Sequence, residues 1–209
     1  MLIGFNEIYN ILSSNNIMVT GAFHLGAHDC EELNFYNQLG IKNEDIVWID
    51  AIDEKVIEAK NRGIQNIYSA VITDKDDQDV VFNLSNNVQS SSVLEFGTHA
   101  VQHPDVVFIN KLNLKSITID TFFDKNITDA EKYNFWNFDI QGAELLALKG
   151  STKYLKDVKV LYLGVDKDEL YKGCGLIQDI DLFLLEYNFK RVLTCMTHHG
   201  WGDALYIKI

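Results

Sequence analysis

The stretch FWNFDIQGAELLALKG, Phe135 to Gly150, begins as an apolar, aromatic strand and ends as the second half of a helix. Between the two sits Asp139, a carboxylate placed where a buried strand should end. Gly142 follows three residues later, and the chain turns at once into a helix. Two readings fit this placement. Ligands of an open parallel sheet lie outside the carboxyl ends of its strands, where an acid can hold an amine, a metal or a substrate hydroxyl. An acid there also caps a helix that starts near Gly142, and the two roles are compatible.

Working outward, strand and helix patterns alternate for most of the chain. MVTGAFHL (18–25) reads as a strand running into Gly26, and CEELNFYNQL (30–39) as a helix. DIVWIDA (45–51) is a second strand, followed by the helix DEKVIEAKNRG, which Gly63 closes. IQNIYSAVI (64–72), NFWNFDI (134–140) and VKVLYLGV (158–165) are three more strands, and CGLIQDIDLFLLEYN (174–188) is an amphipathic helix. FKRVLTCM and DALYIKI then form a closing hairpin around THHGWG. Continuous apolar strands alternating with helices imply an α/β fold whose parallel sheet is covered on both faces.

The middle of the chain differs. QDVVFNLS, DVVFINK and LKSITID read as strands with the polar loop NNVQSSSVLEFGTHAVQHP among them, and no periodic helix is evident. One domain is therefore expected over 1–209, with a core of 17–75 and 133–209 and a β-rich insertion at 78–119 near the sheet edge. The length suits one large core.

Composition narrows the function. Thirty acidic against 18 basic residues give a net charge of −12, which repels phosphate backbones and argues against a nucleic-acid partner. No apolar run of about 18 residues predicts a membrane span. The amphipathic start MLIGFNEIYNILSSNN lacks a basic n-region and reads as a helix, not a signal peptide. Three cysteines without a CxxC pair suit a reducing cytoplasm and argue against a zinc site.

The predicted strand ends collect the chemistry. After the first comes His24-Leu25-Gly26-Ala27-His28, where Gly26 lets backbone pass close to a ligand. The plain alternative is a tight strand–helix turn, since the glycines of a full dinucleotide fingerprint are missing. Asp50 ends the second strand at the usual position of a ribose-hydroxyl acceptor; Asp53 is better placed than Asp50 to cap the next helix. Ala70 and Val71 leave room for a flat ring. If the last long helix returns the chain in parallel, the turn THHGWG overhangs the same edge. His198, His199, Trp201 and Asp203 are then candidates there, although a histidine pair on a turn is more often solvated.

Together, FHLGAHDCEE, VWIDA, FDIQGAELLALKG, ELYKGCGLIQDID and HGWGDALYIK resemble the FkbM-type methyltransferases, which use S-adenosylmethionine (SAM). The similarity runs from about Met18 to the end, and FDIQGAELLALKG is its most specific piece. It implies a class I methyltransferase fold, a Rossmann-like, doubly wound seven-stranded sheet with an antiparallel last strand. It implies methyl transfer to an oxygen, often a hydroxyl of a sugar, a glycan or a related small molecule. By the same resemblance Gly26, with His24, Ala27 and His28, faces the methionine portion of SAM. Asp50 and Ala51 hold the ribose, Ala70 and Val71 border the adenine, and Asp139 lies near the methionine amine. Gln141, Asp166, His198 and Trp201 fall on the substrate side.

Two departures stand out. Cys30 replaces a glycine common in the family, and Gly164-Val165-Asp166 replaces a frequent Glu-Val-Asn. The second puts activity in more doubt than cofactor binding.

Transfer from a sulfonium is mostly alignment of the hydroxyl, helped by a general base. His199, Asp139 and His28 are the candidate bases. A magnesium ion held by Asp139 and Asp166 is a secondary option. Two other functions stay open: a non-catalytic SAM-binding protein that keeps the fold, and an NAD-dependent dehydrogenase. The dehydrogenase needs a richer glycine turn and leaves the hairpin tail unexplained. Oligomeric state is not legible.

Overall fold

Side chains alternate across a strand, so a strand buried on both faces must be apolar throughout and must divide its residues between two cores. In the computed structural model, which describes Met1–Ile209, the chain does this. Its first half runs α1 (Phe5–Ser14), β1 (Ala22–Leu25), α2 (Leu33–Gln38), β2 (Ile46–Asp50), α3 (Asp53–Asn61), β3 (Ile67–Ser69), β4 (Val71–Ile72) and β5 (Asp79–Ser85). Then come α4 (His99–Gln102), β6 (Phe108–Ile117), α5 (Ile119–Asn126), β7 (Phe135–Phe138), α6 (Glu144–Lys149), β8 (Val160–Asp166), α7 (Ile177–Leu185), β9 (Phe189–Met196) and β10 (Trp201–Lys208).

Phe23, Leu25, Val47, Ile49, Trp136 and Phe138 face one core, with Phe122 and Phe123 of α5, Leu148 of α6 and Ile180 of α7. Ala22, Ile46, Trp48 and Phe135 face the other, with Ile8 of α1, Tyr36 of α2 and Val56 of α3. Aromatic edges lock the first core: the Phe23 ring meets Phe123 at 4.8 Å and 82°, and Trp136 at 5.4 Å and 63°.

The main sheet has the order β3-β2-β1-β7-β8-β10-β9. Only β10 runs antiparallel to its neighbours, β8 and β9. This is the class I methyltransferase arrangement expected from the sequence. Strand order turns outward between β1 and β7, so the loops after these two strands diverge and leave a crevice at their carboxyl ends.

Several sequence expectations need correction. The run 64–72 is not one strand. It breaks at Ala70, where the Ala70 N–H bonds the Asp50 carbonyl at 3.0 Å, and β4 then leaves for a second sheet of order β4-β6-β5. DVVFINK and LKSITID are not two strands but the single β6, which pairs antiparallel with β5 along its length. A helix, α5, follows it at once. Thr118 caps α5 by accepting the Thr121 N–H at 3.1 Å, and the β-branched run before this cap hides the helix start. The strand expected from Met18 begins at Ala22, because the Asn134 side chain bonds the Thr20 N–H and the Met18 carbonyl in place of a ladder. The insertion is not a simple edge extension. Its loop crosses the carboxyl end of the main sheet, where the Ser92 hydroxyl donates to the Gln141 carbonyl at 2.8 Å and the Gly97 N–H to the Leu170 carbonyl at 2.8 Å. No helix is long and apolar enough to cross a membrane.

Gly26 (φ +86°) passes so close to β7 that a Cβ there would lie 1.9 Å from the Asp139 carbonyl oxygen. Gly40 has the same backbone sign (φ +85°) with open space around it. Gly40→Ala should therefore cost about 1–2 kcal/mol, the left-handed penalty alone. Gly26→Ala should cost about 3–5 kcal/mol, because the clash adds to that penalty. Urea unfolding of both variants measures the difference, and equal losses would remove the close approach as a constraint.

Candidate functional site

One cavity of about 630 Å³ opens at the carboxyl edge of the main sheet. Its floor is made by the loops after β1, β2, β7 and β8, its roof by the insertion, and one side by Trp201 at the start of β10. Seven carboxyl groups line it, and no lysine or arginine does.

The loops after β1 and β7 hold unusual backbone. His28 (φ 41°), Cys30 (φ 57°) and Gln141 (φ 56°) are non-glycine residues in the left-handed region, alongside Gly26 and Gly142. Such conformations persist only where surrounding structure imposes them. Asp50 imposes part of it. Its carboxylate accepts the His28 N–H at 2.8 Å and the Ile52 N–H at 2.9 Å, tying the first loop to the second. Burial raises the Asp50 carboxyl against these two bonds.

The expected cofactor residues fall as follows. Gly26, His28, Asp50, Ala51, Ala70, Val71 and Asp139 all line the cavity. His24 also lines it but is fully engaged: its Nδ1 pairs with the Tyr36 hydroxyl at 2.7 Å and its ring lies 4.8 Å from Trp48. Burial pushes its imidazole down to about 3, so it stays neutral. Ala27 does not line the cavity; its side chain is buried in the core beneath the α1–α3 face.

Gln141 organises the far side. Its amide N–H donates to Asp139 Oδ1 at 2.6 Å, and its Oε1 accepts the Tyr171 hydroxyl at 2.8 Å. Its carbonyl is the Ser92 partner, so one residue fixes a carboxylate and the insertion together. Water reaches Asp139 through the cavity, yet protein surrounds it at longer range. That burial, with the Asp203 charge nearby, raises the carboxyl to about 6. Asp203 is held by the Tyr162 hydroxyl.

Two buried acids sit deeper. Glu144 is 4% exposed and accepts the Ile140 N–H at 2.9 Å; burial and the neighbouring Asp166 push it up to about 8. Asp166 is 7% exposed, and burial pushes it up to about 7. Asp166 was expected from the family resemblance. Glu144 was missed, because it reads as an ordinary first-turn helix residue; the one available signal was an acid inside the apolar run Ala143–Leu148.

The hairpin turn lies at the cavity edge: Trp201 pairs with Asp166 in the β8–β10 ladder, and the Lys167 N–H bonds the Gly200 carbonyl at 2.8 Å. His198 and His199, however, do not line the cavity. The turn folds outward onto α4, where Gln102 donates to the His199 carbonyl at 3.1 Å and the His199 ring lies 5.1 Å from His103. The imidazoles that do line the roof, His99 and His103, come from the insertion, and the sequence reading passed over both. Burial and His103 push His99 down to about 4.

A carboxyl-rich cavity without a lysine or arginine suits a ligand carrying positive charge. SAM, with its sulfonium and ammonium, has that character. The expected magnesium ligands Asp139 and Asp166 both line the cavity, but they do not form a three-ligand group. The closest such group is His28, Asp29 and Glu31 at the rim, where Lys55 already bonds Asp29 at 3.1 Å.

Among solved structures, the chain is similar to a magnesium protoporphyrin IX methyltransferase from Synechocystis PCC 6803 with bound SAM, at 10% identity over 98% of this chain and 78% of that one, with a TM-score of 0.46. It is also similar to a putative RNA methyltransferase from Pyrococcus horikoshii (12% identity, 98% and 83% covered, TM-score 0.44). A ribosomal protein L11 methylase from Lactobacillus delbrueckii subsp. bulgaricus shows 14% identity over 95% and 77%, with a TM-score of 0.44. No curated protein sequence matches the chain. The family model described as the methyltransferase FkbM domain matches residues 7–191, and the chain belongs to that family of methyltransferases.

Proposed function

We propose that the protein uses SAM to methylate a hydroxyl on a sugar, a glycan or a related small molecule. One observation carries this reading: the Gly26 crossing, Asp50 and Asp139 surround a single cavity that holds seven carboxyls and no lysine or arginine. Asp50 keeps free lone pairs beyond its two backbone bonds and accepts the ribose hydroxyls. Ala51, Ala70 and Val71 give the adenine a small apolar wall. Asp139, oriented by Gln141, faces the methionine ammonium. When bound, SAM supplies an electrophilic methyl group. The residues position the acceptor oxygen in line with it, which is most of the catalytic work. As the C–O bond formed and the methyl–sulfur bond broke, the hydroxyl proton would pass to a carboxylate, for which Asp139 and Asp166 stand in the cavity. His28 is already engaged, since its Nδ1 pairs with Glu31 at 2.8 Å.

A second reading keeps SAM binding without turnover, and Gly164 in place of the family glutamate favours it. Against it, Glu144 brings a carboxyl to the same spot: a Cβ on Gly164 would lie 3.4 Å from Glu144 Oε1. Methyl-transfer assays over a panel of sugars and glycans separate the two, since turnover of any member ends the second reading.

Calorimetry should show heat with SAM and with its demethylated product but none with NAD; silence with both of the first two sinks the proposal. Asp50→Ala should weaken product binding by about 1.5–3 kcal/mol, through loss of the ribose bonds. An unchanged affinity would leave Asp50 as a loop tie only.

Asp139 is raised toward about 6, so it ionises as pH rises through that value, and a cationic ligand gains affinity in the same direction. Product affinity should therefore rise between pH 5 and pH 7.5, and Asp139→Asn should flatten the profile at the weak end (~pH 5 behaviour throughout). A variant with wild-type affinity and slope would reduce Asp139 to a cap.

A further inference from the structure

The sheet order lays the site out along a line. From β3 to β7 come Ala70, Asp50, Gly26 and Asp139, the stretch given above to the cofactor. Beyond it, at β8 and β10, the cavity continues to Asp166, Glu144 and Trp201. The acceptor compartment is this second stretch.

Its two acids lack cations. Asp166 is more than nine-tenths buried and lines the cavity, yet no backbone N–H and no basic side chain bonds its carboxylate; the neighbouring donor is the Cys174 thiol. Glu144 receives one backbone N–H and no basic partner. Buried carboxylates are normally paired with a cation or supplied with donors, because an isolated one is costly. A second buried group on the cavity wall is also short of a partner. His99 is 5% exposed, its ring is stacked on Phe96 at 4.2 Å, and its Nδ1 makes no hydrogen bond. Gly164 leaves a gap beside Glu144, in which a Cβ would stand 3.4 Å from Oε1, in ordinary contact.

We infer that the acceptor carries an ammonium group, which docks in the gap at Gly164 between Glu144 and Asp166. The acceptor is then an amine-bearing hydroxyl compound, such as an amino sugar or an aminocyclitol, and not a phosphorylated or nucleotide-linked one. This rests on the methyltransferase reading and deepens it. The ammonium supplies the cation that both carboxylates lack. A phosphate would meet no lysine or arginine there, the one ammonium of the lining, at Met1, already faces Glu32 at 4.0 Å, and the carboxyls would repel it. Trp201 offers a flat apolar wall to the ring that carries the amine.

The test uses the full chain saturated with the demethylated cofactor and titrated with matched probes. These are glucosamine and 2-deoxystreptamine, their N-acetylated forms, glucose and glucose 6-phosphate. At least one amine should bind tighter than its acetylated form by about tenfold or more, with no binding of the phosphate. Asp166→Asn should bring amine and acetylated probe to within about twofold of each other. Gly164→Ala removes no charge but fills the gap, and it should weaken the amine probe while the cofactor heat persists. Equal or tighter binding of acetylated, neutral or phosphorylated probes overturns the inference. So does the absence of binding by both amines, or an amine preference that survives in both variants. If the cofactor itself gives no heat, the methyltransferase reading fails first, and the two failures are told apart in one experiment.

Discussion

The structure depends on the crossing of two loops. Gly26 and Asp139 leave adjacent parallel strands at the point where strand order reverses, and their backbones pass with no room for a Cβ. The Asp139 N–H reaches back to the Leu25 carbonyl at 3.0 Å, while the Gly26 and Ala27 N–H groups reach the other way, to the Ile49 carbonyl at 2.9 Å. The three strands β2, β1 and β7 are therefore stitched past their last ladder pair. This extension carries Asp50, Gly26 and Asp139 into one cavity. Without it, the first loop would lose the shape that the Asp50 carboxylate then locks.

Charge explains why the cavity is tuned for one kind of guest. Burial raises the deeper carboxyls of this concave surface toward neutrality, and neighbouring acids add to the shift. Asp139, Glu144 and Asp166 climb to about 6, 8 and 7 in that environment. A cation entering the cavity reverses the trend, since it favours the ionised forms and returns the carboxyls toward their ordinary range. The net charge of −12 adds a long-range field of the same sign.

The strands and the acids at their ends were legible in the sequence for a simple reason. A doubly covered parallel strand must be apolar along its length, so an acid that interrupts the run marks the strand's exit, and all exits of a parallel sheet share one edge. Asp50 and Asp139 were found this way, and Asp166 through the family resemblance. Glu144 was not, because helix position alone does not say which first-turn acids face inward. The histidines were misassigned for a related reason. A turn's location follows from topology, but the direction of its side chains follows from what packs against it. Here α4, a short helix without a periodic signature, draws His199 away from the cavity toward His103.

The insertion is thus more than an appendage to the sheet. Its serine-rich loop reaches the site through Ser92, which bonds the Gln141 carbonyl, and through Ser90, whose carbonyl accepts the Tyr171 hydroxyl at 3.3 Å. Gln141 and Tyr171 are also bonded to each other, so the roof, the β7 loop and the segment before α7 meet in one polar network. Any displacement of the roof pulls on the residue that orients Asp139. The loop, β5 and β6 have no ladder to the main sheet, and their second sheet is tied to it through the chain at Ala70 and through this network. Roof and carboxylate are thus joined by one hydrogen-bonded network, from Ser92 through Gln141 to Asp139.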